Sequence, residues 1–252
     1  MASRREFIER VRREVRRTPG LFAASAAPRP PRPTEAAAAV RRELAERWPQ
    51  ALERFREEFE RVGGVLHRAP VAAAVPGIVQ AIAADHGARS AVVWGPAELG
   101  VDLPGSPGKA LEVTAVPSGA GEDERRAHRV AVAAADLGVT GVDVALAETG
   151  TLIILSGPGR PRSTSLLPET HVAVLDRYRL VESLEHVGVI LEALHAMPGA
   201  PDGAVVNFIT GPSRTADIEL TLTRGVHGPK FVHAVFVEDE GGLPVRPPWG
   251  WS

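Results

Sequence analysis

Short, almost wholly apolar segments separated by helical patterns are the feature that most constrains the fold. The segments TLIIL at 151–155, HVAVL at 171–175 and FVHAVFV at 231–237 consist mainly of Val, Ile, Leu, Ala and Phe. A strand with one face in water alternates apolar and polar residues, whereas a near-continuous apolar strand is covered on both faces. The sequence therefore predicts an α/β fold with a largely parallel sheet covered by helices on both faces.

The remaining strands and helices alternate along the chain. Thr34 followed by Glu35 predicts a helix N-cap, and the pair Gly63 and Gly64 ends the long helical pattern that starts there. Further strands are predicted at 65–67, 90–94, 112–116, 141–147 and 205–210, the last of them buried, and further helices at 71–85, 122–136 and 182–195. This alternation is typical of βαβ units.

The first 33 residues differ in pattern from the rest of the chain. Apolar residues recur at helical spacing within 3–17, which predicts a short amphipathic helix. The proline-rich segment 28–33 then predicts an extended joint. We therefore divide the chain into an N-terminal helix with its joint, residues 1–33, and an α/β domain, residues 34–252.

The composition excludes several classes of function. With a formal net charge of -2 over 252 residues, the chain has no overall positive field for nucleic acid. It has no cysteine, which excludes disulfides, thiolate ligands for zinc or iron–sulfur clusters, and a thiol nucleophile. No segment has the pattern of a secretory signal or a membrane span, so a cytoplasmic protein is expected.

A first polar cluster lies between two predicted strands, at Glu148, Thr149, Gly150 and Thr151. The Glu148 carboxylate is a candidate general base, nucleophile or hydrogen-bond acceptor, and Gly150 allows a ligand to approach the backbone. A β-turn without a ligand accounts for the same residues. The segment 156–165 follows, with arginines and hydroxyls that either suit an anion or are solvated on a hairpin loop.

A second polar cluster follows the predicted strand at 205–210. Its members are hydroxyl, glycine and charged residues that a packed core does not need: Thr210, Gly211, Ser213, Arg214, Thr215 and Asp217. Open α/β sheets bind ligands at the carboxyl ends of their strands. Arg214 and backbone N–H groups near Gly211 are therefore candidates to hold a carboxylate or phosphate. Alternatively, Ser213 caps a helix and Asp217 forms a structural ion pair with Arg214.

His227 and His171 are the histidines nearest to these clusters in the sequence pattern. Each is a candidate for proton transfer near neutral pH, although a lone histidine is more often a structural hydrogen-bonding group. We take Glu148 and His227 as the candidate catalytic residues. No HExxH motif or closely spaced set of His and Asp occurs, so no metal site is predicted.

Two long strings carry a resemblance to a known family. The sequences AETGTLIILSGPGRPRSTSLLPETHVAVL at 147–175 and FITGPSRTADIELTLTRGVHGPKFVHAV at 208–235 resemble the LUD-domain family, in particular its lactate-utilization protein C branch. The resemblance extends more loosely over the chain from about residue 35 onward. It implies a three-layer α/β/α fold like that of the sugar-isomerase, ribose-phosphate-isomerase and CoA-transferase superfamily, in agreement with the pattern of strands and helices.

The same resemblance implies a part in the oxidation of L-lactate to pyruvate, together with two partner proteins that carry iron–sulfur clusters. Because the chain has no cysteine, it is expected to be the accessory subunit that binds no cofactor. The two polar clusters are then expected to bind a small carboxylate, another anion or a partner. One alternative is a free-standing acyl-transferase-like, CoA-transferase-like or ligase-like enzyme of the same fold that uses Glu148. Another is a structural adaptor that docks through the N-terminal helix.

Overall fold

The computed structural model describes residues 4–17, 32–103, 111–117, 121–196, 205–215, 223–239 and 241–243. Within these ranges the α-helices are α1 (Arg4–Arg17), α2 (Pro33–Arg61), α3 (Val75–Asp85), α4 (Pro96–Leu99), α5 (Glu122–Ala134), α6 (Ser163–Leu166) and α7 (Leu184–Ala196). The strands are β1 (Val65–Ala69), β2 (Ser90–Val93), β3 (Glu112–Ala115), β4 (Leu137–Gly141), β5 (Val144–Leu146), β6 (Thr151–Leu155), β7 (Thr170–Asp176), β8 (Leu180–Val181), β9 (Val206–Ile209), β10 (Arg214–Thr215), β11 (Thr223–Arg224) and β12 (Phe231–Val237). Short 3-10 helices lie at Ala72–Ala74 and Arg177–Arg179.

The main sheet is parallel and has the strand order β1-β12-β7-β4-β2-β3. Its interior strands β7 and β12 pair along their whole length, from Thr170 opposite Phe231 to Asp176 opposite Val237. Both strands are almost wholly buried, as their apolar sequences predict. The prediction of a parallel sheet at the centre of an α/β fold is therefore confirmed.

Helices cover both faces of this sheet. Along β12, Val235 packs in one hydrophobic cluster with Val79 of α3, whereas the next residue, Phe236, packs in another with Phe55 of α2. Because successive side chains of a strand point to opposite faces, α3 and α2 lie on opposite faces of the sheet. The arrangement is thus the expected three-layer α/β/α fold.

A second, mixed sheet has the order β8-β5-β6-β9. In it β5 and β8 are parallel, whereas β6 is antiparallel to both β5 and β9. The segment 141–147, predicted as one strand, divides into the end of β4 in the main sheet and β5 in the second sheet. At the break, the Asp143 carboxylate accepts a hydrogen bond from the Leu155 backbone N–H (2.7 Å). The single-strand prediction was wrong because the residues on both sides of the break are apolar and buried, so periodicity does not mark it.

The strand predicted at 205–210 is β9, and it is neither buried nor part of the parallel sheet. It lies at the edge of the second sheet, where it pairs with the antiparallel β6, and Phe208 is 50% exposed. The loop after β9 therefore does not follow the carboxyl end of a parallel strand. The apolar composition of this segment suits an exposed edge strand as well as a buried one, which is why the sequence did not distinguish them.

The N-terminal elements follow the sequence pattern with small shifts. α1 is the predicted amphipathic helix, and its Phe7 and Val11 are exposed. α2 begins at Pro33 with Arg32 as N-cap, not at the predicted Thr34, because proline is favoured in the first helical turn. Most of the joint at 28–33 lies outside the described residues, so the division of the chain at this point stays a prediction. None of the helices in the described ranges is long and apolar enough to cross a membrane.

Candidate functional site

The two polar clusters come together at the C-terminal end of α2. Gly150 lies so close to this helix that an added Cβ atom would come within 2.3 Å of the Phe59 backbone nitrogen. Gly211 approaches the residue that follows the helix, where an added Cβ atom would lie 2.6 Å from the Val62 carbonyl oxygen. Both glycines have positive φ, 61° and 75°, which L side chains rarely adopt. Glycine is therefore needed at both positions for the clusters to meet.

A chain of hydroxyl groups joins the clusters directly. Thr149 Oγ1 lies 2.6 Å from Thr151 Oγ1, which lies 2.8 Å from Thr210 Oγ1. Thr151 is buried at the start of β6, whereas Thr149 and Thr210 are exposed. Because a hydroxyl can both donate and accept, the two outer groups retain capacity to bond to a polar ligand.

Glu148 is held at the N-terminal end of α7. Its carboxylate accepts a hydrogen bond from the Leu184 backbone N–H (2.9 Å), and its own N–H donates to the Glu182 carbonyl (3.1 Å). The first N–H groups of a helix have no partner within the helix, and its N-terminal end attracts negative charge. The Glu148 carboxylate therefore has a structural function that requires no substrate.

Arg214 lies at the C-terminal end of a helix, in contrast to Glu148, which lies at an N-terminal end. Its guanidinium donates to the Val62 carbonyl oxygen (2.5 Å), at the C-cap of α2. The last carbonyls of a helix carry partial negative charge, which a cation offsets. A guanidinium has five N–H donors, so this bond leaves donors that can reach an anion.

Ser213 and Thr215 belong to the segment that enters the β10–β11 hairpin. Ser213 Oγ accepts a long hydrogen bond from the His227 backbone N–H (3.4 Å), and Thr215 pairs with Thr223 across the hairpin. Ser213 does not cap a helix, because β10 follows it directly. The His227 side chain is exposed, and Asp217 lies outside the described residues.

The arginine-bearing segment 156–165 contributes structural contacts. Arg160 forms an ion pair with the buried Asp143, and its guanidinium lies 4.7 Å from the centroid of the Trp94 ring. It is therefore neither solvated nor directed toward an external anion, the two alternatives that the sequence left open. Arg162 is exposed, as expected for a loop residue.

His171 is a buried structural residue. Its Nε2 lies 2.9 Å from the Thr140 hydroxyl inside the main sheet. Burial first, and then the charge of His233, lowers the pKa of His171 to about 3. The imidazole is therefore neutral near pH 7 and has no access to solvent for proton transfer.

Sequence reasoning missed a group of three hydrogen-bonded histidines. His233 Nδ1 lies 3.0 Å from His67 Nε2, and His233 Nε2 lies 2.9 Å from His86 Nε2. Burial first, and then repulsion from the other two rings, lowers the pKa of His233 to about 4. A histidine inside the apolar string FVHAVFV was the available signal. Its partners could not be identified because they lie on β1 and at the end of α3, which only the strand order brings close to β12.

The joined clusters suit binding better than acid–base catalysis. The exposed hydroxyls of Thr149 and Thr210, with the donors of Arg214, can hold the oxygens of a carboxylate or another anion. A general base must instead be within reach of the proton that it removes. Glu148, the candidate base, is directed to the end of α7 and contributes to the stability of that helix.

Comparison with known proteins identifies similar sequences. The family model described as LUD domain matches residues 52–237. A protein of Halalkalibacterium halodurans named Lactate utilization protein C is 45% identical over 105 residues, which are 42% of this chain and 45% of that protein. A protein of the same name from Geobacillus sp. (strain WCH70) is 38% identical over 109 residues, 42% of this chain and 43% of that protein. The matched part spans less than half the length of these relatives.

A solved structure shares the fold. The crystal structure of a DUF162 family protein from Deinococcus radiodurans superposes with a TM-score of 0.51, covering 75% of this chain and 98% of that chain. The two sequences are 20% identical, so this likeness concerns the fold alone.

Proposed function

The chain belongs to the LUD domain family, and on that premise we propose that it serves lactate utilization as an accessory subunit that binds no cofactor. Two relatives named Lactate utilization protein C, 45% and 38% identical over the matched part, support this process. The reaction served is the oxidation of L-lactate to pyruvate. Two partner proteins carry the iron–sulfur clusters, and a chain without cysteine fits the position of the subunit that leaves electron transfer to them.

In this proposal the joined clusters are a recognition site for a small carboxylate or for a partner protein. The observation that carries it is the hydroxyl chain from Thr149 through Thr151 to Thr210, because it links both loops and leaves polar groups exposed. Glu148 and Arg214, the charged residues of the two clusters within the described part of the chain, are each hydrogen-bonded to a helix end. This favours a site that binds a ligand over a site that carries out a reaction. The enzyme alternative requires the Glu148 carboxylate to leave the α7 terminus.

Growth of the native host tests the proposed role in lactate utilization. A strain that lacks this chain is expected to lose growth on L-lactate as sole carbon source and to keep growth on pyruvate, because only the oxidation of lactate is interrupted. Reintroduction of the intact gene restores growth on lactate. Normal growth of the deletion strain on lactate contradicts the proposal. Purification of an affinity-tagged chain from lactate-grown cells tests the partners, and iron–sulfur proteins are expected to co-purify.

Thermal unfolding of the purified chain tests the site. A ligand that binds only the folded state raises the midpoint of unfolding. L-lactate, pyruvate and inorganic phosphate are the probes, and Thr210→Val is expected to reduce the shift that an effective probe causes. Thr114→Val, on the exposed part of β3, is the matched control and keeps the shift. If no probe shifts the midpoint but the partners co-purify, the site is a partner surface rather than a carboxylate site.

A further inference from the structure

A separate cavity lies between α2, α7 and the segment that follows β7. Its volume is about 260 Å³. Much of its wall is apolar, formed by Val40, Leu44, Leu180, Val181 and Ile190. Its charged lining residues are the arginines Arg41, Arg177 and Arg179, and no described residue of the lining is acidic. None of these residues belongs to the hydroxyl clusters.

Aromatic rings orient Arg177. The Arg177 guanidinium lies 5.8 Å from the centroid of the Trp48 ring and 5.0 Å from that of the Tyr178 ring. It also donates a hydrogen bond to the Tyr178 hydroxyl (3.2 Å). A cation held against aromatic faces loses less conformational entropy when it meets an anion, which favours binding.

The other two arginines lie deeper. Arg179 forms an ion pair with Asp176 (2.8 Å) and donates to the Val142 carbonyl oxygen (2.7 Å). Arg41 is 6% exposed, and burial followed by repulsion from Arg179 lowers its pKa to about 10. Arg41 therefore stays protonated at neutral pH, and the described lining of the cavity carries three guanidinium groups, of which that of Arg179 is paired with Asp176. An anion in the cavity relieves the repulsion between these guanidinium groups.

We propose that this cavity binds an organic anion with an apolar body, a carboxylate or phosphate monoester on a short aliphatic or aromatic group. The anionic head meets the guanidinium groups of Arg41 and Arg177, which suit carboxylate and phosphate oxygens. The body packs on the apolar wall formed by α2, β8 and α7. Since a water molecule takes about 30 Å³ in the liquid, the cavity volume of about 260 Å³ equals that of roughly nine water molecules. This is more space than a three-carbon acid fills, so the cavity has room for the apolar body as well as the anionic head.

Calorimetric titration of the full chain tests the proposal. The probes are benzoate, hexanoate and phenyl phosphate, with benzyl alcohol as the neutral analogue and inorganic phosphate as the head without a body. We expect at least one of the three organic anions to bind, and benzyl alcohol and inorganic phosphate to bind at least about tenfold more weakly, a difference of about 1.4 kcal/mol. Comparison of benzoate and hexanoate with phenyl phosphate shows whether the cavity prefers a carboxylate or a phosphate head. No binding by any organic anion, or equal binding of benzyl alcohol, overturns the proposal.

Paired variants locate the binding. Arg41→Gln is expected to lower the affinity for the probe that binds by about tenfold or more, because a charged hydrogen-bonding group is lost. Arg42→Gln, the exposed neighbour on the same helix, is the control and keeps the affinity. Should Arg41→Gln fail to fold, Ala45→Phe fills the cavity from the α2 side without removing a charge, and Ala39→Phe places the same ring on an exposed position of α2. Undiminished binding by Ala45→Phe contradicts the assignment to this cavity.

Discussion

The hydroxyl oxygens of Thr151 and Thr210 lie 2.8 Å apart, although 59 positions separate the two residues in the chain. This contact joins β6 to the loop after β9 and places both polar clusters beside the last turn of α2. The site is therefore a property of the second sheet and of α2, and its integrity depends on close packing as much as on hydrogen bonds.

Removal of the central hydroxyl is expected to destabilise the fold. Thr151→Val keeps the shape of the buried side chain but leaves Thr149 and Thr210 without their shared partner, and we expect a loss of about 1–2 kcal/mol in the free energy of unfolding. Urea denaturation measures it. Thr114→Val, at an exposed position, is expected to change stability by less than about 0.5 kcal/mol. Equal effects of the two variants contradict a special role for the Thr151 hydroxyl.

Gly150→Ala is expected to be strongly destabilising. The added Cβ atom meets the backbone of α2 at 2.3 Å, and the position has a φ of 61°. Strain and overpacking together predict a loss of about 2–5 kcal/mol. Gly188→Ala is the control, since an added methyl group in α7 meets nothing within 4 Å. That variant is expected to stabilise the helix by about 0.5–1 kcal/mol, and a loss of stability there would show that the packing argument is incomplete.

Variants of Glu148 separate capping from chemistry. Glu148→Ala removes the acceptor for the Leu184 N–H and is expected to cost about 1 kcal/mol in unfolding free energy. Glu148→Gln keeps an oxygen acceptor, so a smaller cost and full growth of the complemented host on L-lactate are expected. A Glu148→Gln protein of normal stability that fails to restore growth would favour the enzyme alternative, in which the carboxylate takes part in the reaction.

The ion pair of Arg160 and Asp143 predicts that a single substitution strongly lowers the free energy of unfolding. Arg160→Leu leaves the buried Asp143 carboxylate without its cation and removes the contact with the Trp94 ring. Loss of one partner of a buried pair costs about 3–5 kcal/mol. Arg162→Leu, two residues further along the loop, is expected to have little effect because its side chain is exposed. Comparable unfolding midpoints for the two variants argue against a structural role of Arg160.

The histidine group predicts a loss of stability in mild acid. The pKa of His233 falls from its ordinary value of 6.5 to about 4 in the folded chain, and burial also lowers the pKa of His67. Below pH 6.5 the unfolded chain therefore binds more protons than the folded one. The free energy of unfolding is expected to fall as the pH drops through 6.5, by at most about 1.4 kcal/mol per pH unit for each histidine, and to become constant roughly one pH unit above 6.5.

Urea denaturation between pH 7 and pH 5 measures this slope, above the range in which most carboxylates titrate. His233→Gln removes one titrating group and is expected to make the slope shallower. His195→Gln, at the exposed end of α7, is expected to leave the slope unchanged. A slope that is the same in wild type and His233→Gln means that other groups cause the acid sensitivity.

The sequence by itself determined the α/β class, the central parallel strands and most helix bounds. Buried strands are recognisable from their continuous apolar residues, and amphipathic helices from the helical spacing of theirs. β6 and β12 were predicted residue for residue, since TLIIL and FVHAVFV have no other stable environment than a core. The same local information selected the loops at Thr149 and Thr210, because hydroxyl groups and glycines beside apolar strands signal a break in packing.

Only the tertiary structure decided what these residues contact. The second sheet, the exposed position of β9 and the helix-end contacts of Glu148 and Arg214 depend on which strands pair and on where α2 ends. The same holds for the arginine-lined cavity, in which Arg41 of α2 meets Arg177 and Arg179 after β7. Charged and polar side chains have no periodic signature of their own, and their partners are distant in the chain. Their roles therefore become visible only when the fold brings those partners together.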